Sequence, residues 1–361
     1  MKRYRYIVLM AVALLWVGCE RAEVDVPSQG ESLGLSICLP AEETHTTRAN
    51  GPRRVMGDPG TTEQFELPNY VYIFIMKTPA GESDWTLWES ITLTPDAGDW
   101  IKTRYTGGLA TFGDSIYQYN VQLTRLLATP RFDGRLYIIA SATELAFDKT
   151  PLNAANLNSL DAVETLKFDA SDDDVQRNLQ HIYSTPCNYI IGGQYYGFFD
   201  NAQRVPNMKM MLYHVAAKVD INWNVADSVR ISKKDPSKAV RLTYMRAQNL
   251  FNGDAYCFKP MANTSGTDSL ASGSTVDIIR PTDEGLWWEG RSYFYTIPYT
   301  CTKHPDRFPL QMKMATNDST KYYQPTIYMK VTNDTTFVPW LRATFNLSKP
   351  LTEKTDVKIV D

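Results

Sequence analysis

A mainly β fold is what this chain of 361 residues predicts, and three observations carry that expectation. Aromatic residues make up 12% of the chain, with 21 Tyr and 8 Trp, and flat rings pack well on a pleated surface. Many short segments alternate apolar and polar residues with period two, the spacing of a strand with one buried face. Turn-forming residues separate these segments about every 8–12 residues, as in a β-sandwich.

The first element is Leu33 to Leu39, where Leu33, Leu35, Ile37 and Leu39 alternate with Gly34, Ser36 and Cys38. Pro40 ends it, because proline has no N–H to give to a ladder. Residues 41–60 are polar and rich in turn formers, with Thr46-Thr47-Arg48-Ala49 followed by Pro52-Arg53-Arg54, and read as an exposed loop. Asn69 to Met76 carries Val71, Ile73 and Ile75 on one face and aromatics on the other, so both faces are expected to be buried. Trp85 to Leu93, Tyr117 to Leu123 and Arg135 to Ala142 read as further strands. Asn153 to Leu166 has helical spacing, with Leu157, Leu160, Val163 and Leu166 on one side. Met208 to Val225 reads as one long strand that bends or passes between domains, which places a boundary near residue 207. Eight strand candidates follow, from Ala239–Met245 to Val357–Val360.

The N-terminus differs from this pattern. Lys2, Arg3 and Arg5 precede an apolar run of 11 residues, Ile7 to Val17, and then Gly18-Cys19. The run is shorter than the roughly 20 apolar residues of a membrane-spanning helix, so residues 1–18 read as a signal peptide. The Gly18-Cys19 junction resembles a lipoprotein signal, in which the Cys becomes the acylated N-terminus. Trp16 stands where Leu is usual in such signals, with Leu15 one place early. The resemblance implies lipid attachment at Cys19, and each buried CH₂ of an acyl chain contributes about 0.8 kcal/mol of membrane binding. Glu20, Glu23 and Asp25 resemble the surface-export signal of Bacteroidetes lipoproteins, within a linker over residues 19–30.

Without Lys2, Arg3 and Arg5, 34 basic residues face 40 acidic ones, a net charge near −6. With no basic stripe to neutralise phosphates, nucleic-acid binding is not expected. Beyond Cys19 there are four cysteines, Cys38, Cys187, Cys257 and Cys301, which either pair in one of three ways or stay as buried thiols. The four histidines, His45, His181, His214 and His304, show no metal-ligand spacing, and there is no CxxC, GxSxG, Walker A or Rossmann glycine pattern. No catalytic residue, metal or cofactor is therefore expected, and the chain does not read as an enzyme. Asp172-Asp173-Asp174 lacks EF-hand spacing and reads as a solvated loop. Trp287-Trp288 reads as core rather than a sugar platform.

Four segments resemble one family. They are the lipoprotein-like signal with its single hydrophobic strand and Thr47-Arg48-Ala49, then Tyr70 to Met76, then Leu136 to Ala142, and then His214-Val215-Ala216-Ala217-Lys218-Val219-Asp220-Ile221. Together they resemble the fimbrillin group of Bacteroidetes, the FimA- and Mfa-type pilins of type V pili with their anchor relatives; His214 stands where that group has Arg. Trp288 to Tyr293 and Leu341 to Phe345 resemble its C-terminal half less specifically.

The resemblance implies two tandem transthyretin-like Greek-key β-sandwich domains with one or two short helices, over residues 31–206 and 207–361. It implies a surface-exposed lipoprotein of the outer membrane whose partners are other fimbrial subunits. It also implies an Arg-specific protease that cuts between Arg48 and Ala49, after which the plug of Leu33, Leu35, Ile37 and Leu39 leaves a groove that another subunit's strand fills. Two alternatives stay open: an uncleaved anchor or accessory subunit that keeps the strand and the lipid, and a surface glycan-binding lipoprotein.

Overall fold

The computed structural model describes residues 33–41, 55–56, 66–79, 82–104, 115–123, 132–185, 199–200, 203–204, 207–224, 241–259, 261–263, 270, 273–279, 289–302, 307–317, 322–323, 326–330, 342–345 and 357–360. The protein is mainly β. In chain order the first half holds β1 (Leu33–Pro40), β2 (Val55–Met56), β3 (Tyr70–Pro79), β4 (Thr86–Leu93), β5 (Ile101–Arg104), β6 (Ser115–Leu123), β7 (Phe132–Ser141), α1 (Leu160–Glu164), β8 (Lys167–Asp169), α2 (Asp173–Arg177), β9 (Ile182–Ser184), β10 (Phe199–Asp200), β11 (Gln203–Arg204), β12 (Asn207–Met211) and β13 (Tyr213–His214). The second half holds β14 (Ala217–Asn224), β15 (Leu242–Leu250), β16 (Asp254–Tyr256), β17 (Met261–Asn263), β18 (Ser274–Ile279), β19 (Glu289–Thr296), β20 (Tyr299–Cys301), β21 (Arg307–Thr316), β22 (Tyr322–Tyr323), β23 (Thr326–Lys330), β24 (Arg342–Phe345) and β25 (Val357–Val360).

Two larger sheets build the first half, beside the short pair β10-β11. One has the order β12-β1-β6-β5, the other β13-β9-β7-β3-β4. A single core unites them: Leu35, Ile37 and Leu39 of β1, Val121 of β6 and Met210 of β12 cluster with Val71, Ile73 and Ile75 of β3 and Leu136, Ile138 and Ala140 of β7. The opposite face of the five-stranded sheet is buried as well. Tyr72, Phe74, Met76, Tyr137 and Ile139 join a second core with Val163, Leu166, Phe168, Val175 and Leu179. This is why β3 and β7 read as continuous apolar runs. A strand whose two faces both lie under other layers has no position that favours a polar side chain.

The helical region differs from the reading of Asn153 to Leu166. Only Leu160–Glu164 is α-helix, capped by the Ser159 hydroxyl, which accepts from the Ala162 N–H at 3.1 Å. Ahead of it, Asn153 Oδ1 accepts from the N–H groups of Ala155 and Asn156 at 3.0 and 3.3 Å. A side-chain acceptor at that place competes with helical backbone bonds and folds the segment as a turn. The 3.6-residue spacing still marked the buried side, since Leu157, Val163 and Leu166 are all in the core. Asp172 of the acidic run caps α2, accepting from the N–H groups of Asp174 and Val175 at 2.8 and 3.1 Å, a use that suits Asp at a helix start.

The segment expected as one strand from Met208 to Val225 is three strands, β12, β13 and β14, each in a different sheet. The breaks fall at the last bond of each short ladder. The Leu212 N–H donates to Cys38 O at 2.9 Å, closing the parallel pairing of β1 with β12, and the Val215 N–H donates to Ile182 O at 2.9 Å, closing the pairing of β13 with β9. β12 belongs with β1, and the chain passes to the second half after His214.

The second half contains the sheet β18-β15-β21-β22, with β23 also on β21, and the pairs β17-β20 and β24-β25. Its strands β14 and β19 form a sheet with β2 of the first half, so Val55–Met56, within the stretch over residues 41–60 expected as a loop, is a strand parallel to β19. The second half is also joined to the first by further shared structure. β16 pairs antiparallel with β8, setting Asp254, Ala255 and Tyr256 opposite Asp169, Phe168 and Lys167. Phe258 lies 5.3 Å from the Tyr137 ring and 6.1 Å from the Phe74 ring. Gly253, at φ +136, is where the chain turns into this junction, a conformation that favours glycine.

Phe258 is therefore expected to stabilise both halves at once. Phe258→Ala should lower unfolding stability by about 3–5 kcal/mol, with tryptophan fluorescence and circular dichroism shifting together in urea. Two separated transitions in the unaltered protein would show that the halves unfold independently.

Candidate strand-exchange site

The site is the slot occupied by β1. On one side β1 runs antiparallel to β6 over eight residue pairs, from Leu33 opposite Leu123 to Pro40 opposite Ile116. On the other it runs parallel to β12 over five pairs, from Gly34 opposite Asn207 to Cys38 opposite Met211. The ladder continues past Pro40, where the Ala41 N–H donates to Ser115 O at 3.2 Å.

The two faces of β1 differ. Leu35, Ile37 and Leu39 point into the core and are 1%, 0% and 0% exposed. Val121, Tyr119 and Tyr117 of β6 stand opposite them, aliphatic–aromatic and aliphatic–aliphatic pairs that stabilise a sheet. Trp100 closes this core beside Tyr119, 5.4 Å between rings, with its indole N–H donating to Pro68 O at 3.0 Å.

On the outer face, Ser36 Oγ donates to Asn120 Oδ1 at 2.8 Å, and Gln118 Nε2 donates to both Asn120 Oδ1 and Ser36 Oγ at 2.7 and 3.2 Å. Cys38, two residues on, is fully buried with Ile116, against Met211 and Tyr213. Burial pushes the Cys38 thiol up to about 11, against the opposing pull of the Lys209 ammonium, because an apolar surround disfavours the thiolate.

Magnitudes show how much rests here. Fully burying three large aliphatic side chains contributes about 1.5–3 kcal/mol each, against about 5–15 kcal/mol for a whole domain. Removing β1 would also expose the backbone N–H and C=O groups of two strands, a template for another chain.

Of the plug residues read from sequence, Leu35, Ile37 and Leu39 are brought together in the core, and Leu33 takes its place at the start of the ladder opposite Leu123. Cys19, Arg48, Ala49 and Trp287-Trp288 lie outside the described residues. Cys38 and Cys257 are free and buried, and Cys257, like Cys38, has its thiol raised by burial. Sequence reasoning missed the second wall of the slot. The alternation of Met208, Met210 and Leu212 marks a strand, but nothing in it tells that the partner is a parallel strand far earlier in the chain.

No protein-family model matches the chain, and none of the curated proteins matches it. Among solved structures it is similar to a candidate cell adhesion protein from Parabacteroides distasonis, with 14% identity and a TM-score of 0.37 over 83% of this chain and 81% of that one. It is similar to a fimbrial assembly protein from the same species, with 12% identity and a TM-score of 0.38 over 91% of this chain and 99% of that one. A third is a candidate adhesin from Bacteroides ovatus, at 7% identity and a TM-score of 0.33 over 81% and 74% of the two chains. These structural neighbours are candidate cell-adhesion proteins and a fimbrial assembly protein of Bacteroidetes.

Cys38 gives a test of how β1 is held. Its thiol, raised to about 11 from an ordinary 9.0, adds stability that is fully present below pH 9 and is lost as pH rises from about 9 to about 11. Over that window the urea midpoint of the unaltered protein should fall further than that of Cys38→Ser. Equal falls would mean that Cys38 titrates as freely in the folded as in the unfolded chain.

Proposed function

We propose that this chain is a structural subunit of cell-surface fimbriae, exported as a lipoprotein through Cys19 and assembled by β-strand exchange after Arg-specific cleavage between Arg48 and Ala49. One observation carries the reading: β1 sits inside a sheet, paired on both edges, with its apolar side chains in the core. A strand placed between two others cannot leave without unpairing both, so its departure creates a slot that only another extended backbone satisfies.

The connection after β1 suits detachment. The described ladder ends at Ala41, and Arg48 follows within the turn-rich stretch over residues 41–60, ahead of β2, of the kind a protease reaches readily. Cleavage there separates the lipid at Cys19 and β1 from the rest of the chain, which joins release from the membrane to opening of the slot. The role assigned is structural, with no catalytic step.

Limited trypsin digestion of the purified mature protein tests this. The main product should begin at Ala49 and then form ladders that resist SDS, while Cys38 becomes reactive to maleimide as β1 leaves. Resistance at Arg48 with the lipid retained would point instead to an anchor or accessory subunit whose strand stays in place. A main cut after Arg53 or Arg54 with no ladders would sink the exchange reading.

A further inference from the structure

The slot around β1 differs from an ordinary sandwich edge in one respect. A strand at the surface of a sandwich normally buries one face and leaves the other in water. Here the outer face is half-open at Ser36 and closed at Cys38. Ser36 meets Gln118 and Asn120 through exposed hydrogen bonds. At the closed position Cys38 and Ile116 are both 0% exposed, and Met211 and Tyr213 pack on them. The Cys38 S–H donates to Ser36 O at 3.8 Å, so the side chain turns back along its own strand.

The geometry is set by both walls. Ile116 comes from β6, whose fixed register places it opposite Pro40 and two residues from Gln118, which stands opposite Cys38. Met211 comes from β12, directly opposite Cys38 in the parallel ladder. A side chain at this position is therefore enclosed from two neighbouring strands and from Tyr213, just beyond the Leu212 bond to Cys38 O. A residue longer than Cys meets these neighbours, and a charged one is cut off from water. Both are unfavourable in a closed apolar space.

We infer that the slot selects its incoming strand by the outer face as well as the inner one, taking an extended segment with large aliphatics at the Leu35, Ile37 and Leu39 positions and a small uncharged residue at the Cys38 position. The occupant is a peptide strand running antiparallel to β6 and parallel to β12. The Gly34-Leu35-Ser36-Ile37-Cys38-Leu39 segment that now fills the slot is its template. The inference rests on the exchange reading for the identity of the occupant, but the size limit at Cys38 belongs to the folded chain itself. The Ser36 position tolerates more, since a longer side chain there can extend into solvent. Size selection on the outer face therefore centres on the Cys38 position.

Two measurements separate the inference from the reading beneath it. In the full mature chain, amide hydrogen exchange over residues 33–40 and 115–123 is compared for Cys38→Ser, Cys38→Leu and the unaltered protein. Cys38→Ser should keep its protection, and Cys38→Leu should lose about tenfold or more; equal protection in the two variants overturns the size limit. In the second, labelled peptides spanning residues 32–41 are added to the trypsin-cut protein and binding is read by fluorescence anisotropy. The unaltered and Cys38→Ser peptides should enter, and Cys38→Leu and Cys38→Lys should bind about tenfold more weakly or worse. If all four enter alike, the outer-face selection falls while exchange stands. If none enters, including the unaltered sequence, the exchange reading fails and the hydrogen-exchange comparison alone decides the size limit.

Discussion

The position of β1 between β6 and β12 is the constraint on which the first half of this protein depends. The order β12-β1-β6-β5 gives β6 a neighbour on each side, whereas among the described residues β12 has β1 alone within that sheet. β12 is also the strand that leads through Leu212 and β13 into the second half. An N-terminal segment of eight residues thus holds in place the stretch of chain by which the two halves are connected. The apolar half of that segment closes a core shared with β3 and β7, and its backbone satisfies two strands that would otherwise end in open edges.

Much of this architecture was legible because both of its periodicities are simple. Period two marked β1, β4 and β6. Continuous apolar runs marked β3 and β7, whose alternate residues prove to enter two different cores. Where the reading failed, hydrophobic spacing was silent about the cause. Asn153 turned the front of an expected helix, and the stretch from Met208 changed partner twice, from β1 to β9 to β19, so an expected long strand became three. A change of pairing partner leaves the alternation of apolar residues intact, and an Asn at a helix start reads equally as a cap or a turn.

The slot itself was half legible. Alternation told which residues of β1 turn inward, because burial of one face is what alternation records. It could not tell which strands flank β1, because pairing between segments so distant in sequence is set by the whole fold. Nor could it foresee that Cys38, at a position with solvent-face parity, is sealed. That burial depends on Met211 and Tyr213, which lie where the chain leaves one sheet for another, and so on the very break that the sequence concealed.

These features bear on how a strand could be replaced at all. An empty slot would forfeit about 1.5–3 kcal/mol for each of three buried aliphatics, along with the pairing of two strands, and this is comparable to the about 5–15 kcal/mol that holds a domain together. In the proposed exchange the empty state would thus be costly, and departure and replacement would overlap. The unequal walls would give such an overlap a direction. β6 is braced by β5 over Ser115–Gln118, while among the described residues β12 has no second neighbour in the sheet. An incoming strand would find the better-held template on β6, with the parallel ladder to β12 formed once that strand is present. Antiparallel pairing would then lead, and closure of the pocket over the Cys38 position, which needs Met211 in place, would come last.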